Sequence, residues 1–226
     1  MDGVKNKTVF KAHKAVRVYS PFLLSFYDLY VYKCVSPVFF QCPEARIVDF
    51  YLENISKNHL EVGVGTGYLL KKCLDAGKLS SIALLDLNEN CLEATKKRLA
   101  PLQADTFKAN ILEDLPFTAH RFDSIGLNYV LHCVPGTFKE KGEALGSLGK
   151  YLNDDGLLFG STAIYHPGQN VMAKLVMDAY NRNGIFNNRS DIKEELADGL
   201  SKHFTDVRLR QIGNVLFFMA RKSTKG

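Results

Sequence analysis

Short apolar runs alternate with segments of helical periodicity along most of the chain. Five apolar runs predict β-strands, at positions 59–62, 81–87, 106–109, 122–129 and 156–164. Apolar residues at helical spacing predict helices at positions 43–54, 66–76, 88–99 and 138–152. Gly77 is placed to close the second of these helices, and Asn88 is placed to cap the third. Continuous apolar strands that alternate with helices indicate an α/β fold, in which a parallel sheet is buried on both faces.

The pattern changes after the fifth predicted strand. Two further helical segments, 171–183 and 190–202, are followed by two β-like runs at 206–211 and 215–221. Residues 212–214 alone separate these runs, and so short a link permits a hairpin but not a parallel crossover. The last strand is therefore predicted to run antiparallel. The whole pattern predicts a Rossmann-like, seven-stranded, mostly parallel sheet with an antiparallel last strand and helices on both faces.

A glycine-rich turn follows the first predicted strand in the segment HLEVGVGTGYLL. Its glycines, Gly63, Gly65 and Gly67, stand at alternate positions. The dinucleotide fingerprint G-x-G-x-x-G would instead need a glycine in place of Tyr68, and a P-loop would need Gly-Lys followed by Ser or Thr. Glu61 lies two residues before the first glycine, where a carboxylate repels a pyrophosphate and attracts an ammonium or sulfonium group. The turn therefore indicates a cationic ligand.

The sequence acid-x-Gly-x-Gly-x-Gly resembles motif I of the class I S-adenosylmethionine-dependent methyltransferases. The resemblance implies that the glycines let the backbone approach S-adenosyl-L-methionine, and that the helix N-terminus near Thr66 faces its methionine carboxylate. It also implies that Glu61 complements the amino group, directly or through water. Asp86, at the end of the second strand, matches the acid that accepts hydrogen bonds from both ribose hydroxyls. NAD-binding folds share this last feature.

The resemblance continues along the third and fourth predicted strands. Asn110 and Ile111 follow the third strand, where the family places the groups that read the adenine edge and cover its face. Asn128 and Tyr129 end the fourth strand, beside the position of the transferring methyl group. His132 comes next and is the first candidate for a general base, which is needed only if the acceptor must lose a proton. Tyr129 and His132 are therefore the predicted catalytic residues, and Asn128 is counted with the cofactor site.

Two segments are predicted to build the substrate pocket. One is an N-terminal arm or lid, residues 1–43, whose aromatic stretch includes Tyr19 and Tyr27. The other is an insertion at about 165–189, which carries His166, the second candidate for a base. An aromatic lid suits a small, partly apolar or aromatic molecule. The order of residues in this arm, together with the stretch LNYVLHC at 127–133, resembles that of small methyltransferases of natural-product type.

Composition and charge exclude several classes of function. The formal net charge is +5, and basic and acidic residues interleave, as in Lys139-Glu140-Lys141, which indicates a solvated mixed surface rather than a nucleic-acid footprint. No apolar run is long enough to predict a membrane span. Five cysteines without a C-x-x-C pair fit a reduced, cytoplasmic compartment, and no His/Cys cluster has the spacing of a metal site.

The predicted function is transfer of a methyl group to O or N of a small molecule by residues 44–226, with S-adenosyl-L-homocysteine as the cofactor product. The segment after the fourth strand lacks the Pro-Pro of DNA and protein amide N-methyltransferases. A protein or RNA target remains an alternative because the arm is basic. A non-catalytic nucleotide-binding partner subunit is another. An NAD(P)-dependent oxidoreductase is disfavoured by Glu61, by the missing third fingerprint glycine and by the closing hairpin.

Overall fold

A seven-stranded sheet organises the chain in the computed structural model, which describes residues 28–117 and 120–222. Its strands are β1 (Asn58–Val62), β2 (Ser81–Asp86), β3 (Ala104–Lys108), β4 (Phe122–Asn128), β5 (Leu152–Ala163), β6 (Asp206–Ile212) and β7 (Val215–Arg221). The strand order is β3-β2-β1-β4-β5-β7-β6. Strands β1 to β5 pair in parallel, whereas β7 is antiparallel to both β5 and β6. The predicted sheet and its closing hairpin are confirmed.

Helices cover both faces of this sheet. In chain order they are a π-helix (Leu29–Phe39), α1 (Glu44–Asn54), α2 (Tyr68–Asp75), α3 (Glu89–Leu99), α4 (Phe138–Gly149), α5 (Val171–Arg182) and α6 (Lys193–Ser201). Alternate residues of β2 point to opposite faces. Ile82 and Leu84 pack in a core with α1, α2 and α3, and Ala83 and Leu85 pack in a second core with α4 and α6. Both faces of the sheet are therefore apolar, as the continuous apolar strands predict.

Two element boundaries differ from the prediction for local reasons. Helix α2 begins at Tyr68 and not at residue 66, because Gly67 has a φ of 72°, which lies outside the helical region. Strand β5 begins at Leu152 and not at residue 156, because the turn-like residues Asn153 to Gly156 form a bulge where its pairing with β4 shifts register. In both cases residues that favour turns lie inside or next to a regular helix or strand.

The edge strand β3 also extends beyond its prediction. It runs over Ala104–Lys108 and not over residues 106–109, and most of its side chains are partly or fully exposed. An exposed edge strand lacks the continuous apolar run that marks a buried one, so its first residues carry no signal. The two predicted helix signals are confirmed: Gly77 has a φ of 69° after α2, and the Asn88 side chain accepts a hydrogen bond from Asn90 N–H.

One charge that the sequence assigns to the solvated surface is buried. The Lys141 and Asp191 side chains are both 0% exposed, and Lys141 Nζ lies 2.7 Å from Asp191 Oδ2. Burial lowers the pKa of Lys141 and raises that of Asp191. Lys141 also donates to the Asn187 carbonyl oxygen at 2.9 Å. The prediction of a solvated surface is wrong at Lys141, which instead fixes the segment after α5 to α4.

Within residues 28–117 and 120–222, no helix has the length and apolar character needed to cross a membrane. Tyr19 and Tyr27, which the sequence assigns to the substrate pocket, lie outside these ranges.

Candidate active site

The glycine turn between β1 and α2 is built from left-handed backbone. Gly63, Gly65 and Gly67 have φ values of 70°, 54° and 72°, which favour glycine. A Cβ at Gly63 would lie 2.4 Å from Val130 Cγ2, and one at Gly67 would lie 2.7 Å from Thr95 Cγ2. A Cβ at Gly65 would meet no atom within 4 Å. Two of the glycines are thus required by close packing as well as by φ, and the third leaves the loop open.

This open side of the loop faces a cavity of about 450 Å³ at the C-terminal ends of β1, β2 and β4. The cavity is lined by every residue that the sequence assigns to the cofactor, namely Glu61, Gly63, Gly65, Gly67, Asp86, Asn110, Ile111 and Asn128. Tyr129 lines it as well, whereas His132 and His166 do not. Its volume falls in the range of about 300–1,000 Å³ that is usual for small-molecule sites.

Asp86 ends β2 with its carboxylate held toward the glycine turn. Asn88 N–H donates to Asp86 Oδ1 at 2.8 Å. Burial raises the pKa of Asp86 to about 6, although the backbone N–H groups of Asn88, Gly65 and Val64 act in the opposite direction. Above that pH the carboxylate is a pure acceptor with two oxygens, which suits a pair of adjacent hydroxyl groups.

Glu61 is almost completely buried, with 4% of its surface exposed, and it lines the cavity. The Tyr51 hydroxyl donates to its Oε1 atom at 2.9 Å, and His59 Nε2 lies 2.9 Å from its Oε2 atom. Glu61 is predicted from the sequence, but Tyr51 and His59 are not, because nothing in the sequence distinguishes them from other helix and strand residues. The carboxylate is therefore fixed by side chains on both of its oxygens.

Asn110 and Ile111 form the wall beyond β3. The Asn110 Oδ1 atom accepts a hydrogen bond from Leu112 N–H, and its Nδ2 atom donates to Glu113 Oε1, both at 3.1 Å. Ile111 is 8% exposed and presents an apolar surface to the cavity. The local turn thus places a polar and an apolar residue side by side in the cavity wall, and their contact with adenine stays a prediction.

Asn128 and Tyr129 lie where β4 opens into the cavity. Asn128 Nδ2 donates to the Tyr32 hydroxyl at 3.0 Å, and the Ser161 hydroxyl donates to Asn128 Oδ1. Tyr129 has a φ of 54°, and its hydroxyl lies 2.8 Å from Ser36 Oγ. A tyrosine in the left-handed region is strained, and such strain is concentrated at functional sites. Tyr129 is therefore held in a strained conformation at the edge of the cavity, and its catalytic role stays a prediction.

The π-helix contributes Tyr32 to the cavity lining, and Tyr32 and Asp28, the residue before this helix, contact the glycine turn and α2. The Tyr32 ring stacks on Tyr68, with 4.6 Å between ring centroids. The Thr66 hydroxyl donates to Asp28, whose Oδ2 atom also lies 2.7 Å from Arg98 Nη1. Tyr32 belongs to the predicted N-terminal arm. Its contacts, and those of Asp28, join residues that are far apart in the chain, so no local sequence pattern predicts them.

His132 lies in a short 3₁₀ helix (Leu131–Cys133) just beyond β4. Its Nδ1 atom accepts a hydrogen bond from Ala163 N–H at 3.1 Å and lies 3.2 Å from Thr162 Oγ1. Its ring packs on Phe186, with 4.1 Å between ring centroids. Burial lowers the pKa of His132 to about 3. The ring is therefore neutral, and because Nδ1 accepts, its proton is on Nε2.

His166 lies three residues beyond β5, in the predicted insertion. Its Nδ1 atom is 2.8 Å from the Pro167 carbonyl oxygen, and its backbone N–H donates to Gln169 Oε1 at 2.8 Å. Its role toward a substrate stays a prediction. Among the residues that the structure describes, no group of three or more His, Cys, Asp or Glu side chains is arranged to hold a metal ion.

Comparison with known proteins gives a consistent result. A family described as a methyltransferase domain matches residues 60–158. Methyltransferase aurB of Calcarisporium arbuscula is 36% identical over 218 residues, covering 90% of this chain and 95% of its own length. Demethylluteothin O-methyltransferase of Streptomyces thioluteus is 38% identical over 199 residues, covering 87% of this chain and 86% of its own length.

The solved structures agree on the fold. An O-methyltransferase family protein from Burkholderia thailandensis superposes with a TM-score of 0.64 over 80% of this chain at 20% identity. The matched region spans 57% of that structure's chain. At this level of identity the likeness shows the fold.

A parallel sheet closed by an antiparallel β7, with a cavity that holds a glycine turn between Glu61 and Asp86, is typical of α/β enzymes that bind a nucleoside. The relatives make the class specific: the chain belongs to the class I S-adenosylmethionine-dependent small-molecule methyltransferases. The prediction of a small-molecule methyltransferase is thus confirmed, in preference to an oxidoreductase or a non-catalytic subunit.

Proposed function

We propose that the enzyme methylates a hydroxyl oxygen of a small, partly apolar or aromatic molecule. The observation that carries the proposal is the single cavity that gathers the glycine turn, Glu61, Asp86 and the end of β4. Several relatives are named O-methyltransferases, including one that acts on demethylluteothin, which supports oxygen over nitrogen as the acceptor atom.

The residues around the cavity fit S-adenosyl-L-methionine, which supplies a methyl group on a positively charged sulfur. Asp86 accepts hydrogen bonds from the ribose hydroxyls, and Glu61 faces the ammonium group. Asn110 and Ile111 contact the adenine. The space beside Gly65 supports this placement, because a bound molecule can approach the backbone where no Cβ stands in the way.

The acceptor pocket is proposed on the side of Tyr129. The Tyr129 ring lies 6.5 Å from Phe40 and 5.7 Å from His132, measured between ring centroids. Aromatic walls favour an apolar acceptor and exclude water, which helps a displacement whose barrier falls mainly through positioning. Tyr19, Tyr27 and His166 stay predicted contacts of this pocket.

Calorimetric titration of the purified chain with S-adenosylmethionine, S-adenosylhomocysteine and NAD tests the cofactor. We expect both sulfur ligands to bind and NAD to give no response. Binding of NAD without either sulfur ligand would refute the proposal. Incubation of the enzyme and cofactor with a metabolite extract, read by mass spectrometry for a gain of one methyl group, then identifies the acceptor. Gain of the methyl group by protein or RNA alone would contradict a small-molecule acceptor.

His132 lies behind Tyr129 and does not line the cavity, so its predicted action on the acceptor requires an acceptor pocket that extends past Tyr129. Its hydrogen bonds also limit how it can act. With its proton on Nε2, the ring can donate to an acceptor oxygen through that atom but cannot remove a proton there. We expect His132→Ala to reduce kcat by up to about tenfold, the effect of losing one hydrogen bond of about 1.4 kcal/mol, with little change in cofactor affinity.

A pH–rate profile separates the two roles of His132. A donor predicts the same pH dependence in His132→Ala as in the wild type, whereas a base predicts that the variant loses one limb of the profile. Unchanged kcat in a folded variant would remove both roles. Phe186→Leu provides the control, because it alters the packing of the ring and leaves the hydrogen bonds of His132 in place.

A further inference from the structure

A buried chain of hydrogen bonds runs behind the cavity, between β1 and β4. His59 and Ser124 are directly opposite each other in the parallel pairing, and both are 0% exposed. His59 Nδ1 lies 2.8 Å from Ser124 Oγ, and His59 Nε2 lies 2.9 Å from Glu61 Oε2. Ser56 N–H donates to Ser124 Oγ at 2.9 Å. The imidazole is thus held at both nitrogens, and one of its contacts is a wall of the cavity.

The donors and acceptors of this chain can be assigned in one direction. The Glu61 carboxylate only accepts, so His59 Nε2 donates to it, and His59 Nδ1 is left to accept from the Ser124 hydroxyl, whose oxygen accepts from Ser56 N–H. The Tyr51 hydroxyl donates to the other oxygen, and burial raises its pKa well above the usual value, so it keeps its proton. Each donor meets an acceptor.

A glycine in β4 makes room for the carboxylate and the imidazole. Gly126 pairs with Glu61, and a Cβ at Gly126 would lie 2.8 Å from Glu61 Oε2 and 3.0 Å from His59 Cε1. Glycine inside a strand weakens it and often marks a place where another group approaches closely. Phe159, on the next strand, packs against the Tyr51 ring at 4.9 Å. The space around Glu61 is therefore shaped by three strands and α1.

We propose that His59 is a positioning residue for the cofactor: it holds the Glu61 carboxylate so that its remaining lone pairs face the ammonium group. The inference rests on the proposed function, because it assumes that the cavity binds S-adenosylmethionine. Each carboxylate oxygen offers two acceptor positions, and His59 and Tyr51 take one on each oxygen. Without His59, the Glu61 side chain loses one of the two bonds that fix its orientation.

Two related ligands separate this role from a general effect on the fold. S-Adenosylhomocysteine carries the ammonium group, whereas 5′-methylthioadenosine has the same nucleoside and thioether without the amino acid. We expect His59→Phe to weaken S-adenosylhomocysteine by about tenfold, roughly the effect of 1.4 kcal/mol, and to leave 5′-methylthioadenosine within about twofold of wild type. His59→Gln keeps a donor for Glu61 and should recover most of the lost affinity.

Calorimetry on the full chain gives both affinities, with thermal unfolding as the measure of folding. His203→Gln is the matched control, since it removes a histidine that contacts Glu143 on the surface, and it should change neither affinity. Equal weakening of both ligands, or no weakening of either, would overturn the inference. If His59→Phe does not fold, Ser124→Ala removes the hydroxyl that orients the ring and predicts the same selective loss. Failure of wild type to bind S-adenosylhomocysteine would refute the proposed function itself.

Discussion

Asp86→Ala is expected to weaken binding of S-adenosylmethionine and S-adenosylhomocysteine by about tenfold or more. In the proposed complex the carboxylate accepts from the ribose hydroxyls, and hydrogen bonds to a charged group contribute about 1.5–3 kcal/mol each. Its removal leaves two hydroxyls in a partly closed site without an acceptor. Isothermal titration of both ligands measures the loss directly.

The control for this prediction is Asp105→Ala. Asp105 lies on the exposed edge strand β3, where its side chain is 74% exposed, and its loss should leave both affinities unchanged. Unchanged affinity in folded Asp86→Ala would contradict the assigned role.

The dependence of affinity on pH gives a second check of the same carboxylate. Burial raises the pKa of Asp86 to about 6, so affinity should be constant above that pH and fall as the carboxyl takes up a proton below it. Protonation converts one acceptor oxygen into a donor, which no longer matches two hydroxyl donors. Asp86→Asn cannot titrate and should lose this step.

The cofactor half of the site could be predicted because its signals are local in the sequence. The turn from Glu61 to Gly67 is one continuous segment, and its glycines are needed for φ and close packing in that segment itself. Asp86 is predicted from its position at the end of a strand, and an apolar run indicates that strand clearly. The parallel order then brings both strand ends to one edge without further information.

The residues that hold the side chains of this site in place could not be predicted, because their contacts join residues that are distant in the sequence. His59 reads as one polar residue in an apolar run, and its partner Ser124 lies 65 positions away. The contact between Ser36 and Tyr129 spans 93 positions. No local pattern reports which strand will be the neighbour of which, so the polar side chains that meet across strands become visible only in the fold.

The burial of the charged residue Lys141 could not be predicted from the sequence either. In the sequence it stands between Glu140 and Gly142 in a mixed segment, which is typical of a solvated helix. In the structure the glycine lets α4 approach α6, since a Cβ at Gly142 would lie 2.9 Å from the Gly199 Cα atom. Lys141, beside Gly142, contacts Asn187 and Asp191 in the segment before α6, and the helical pattern alone does not reveal how near that segment comes.

Lys141→Met is expected to reduce the free energy of unfolding by about 3–5 kcal/mol, the usual effect of removing one partner from a buried ion pair. The variant leaves the Asp191 carboxylate buried without its cation and the Asn187 carbonyl oxygen without a donor. Urea denaturation followed by circular dichroism measures the loss.

The double variant Lys141→Met/Asp191→Leu should recover much of that stability, because an apolar pair of similar volume replaces a buried ion pair with little loss. Lys202→Met removes a surface partner of Glu143 and should change stability by less than about 1 kcal/mol. A small effect of Lys141→Met, equal to that of the surface variant, would show that the pair is solvated in solution. Recovery in the double variant would instead show that the loss in Lys141→Met came from the unpaired Asp191 carboxylate.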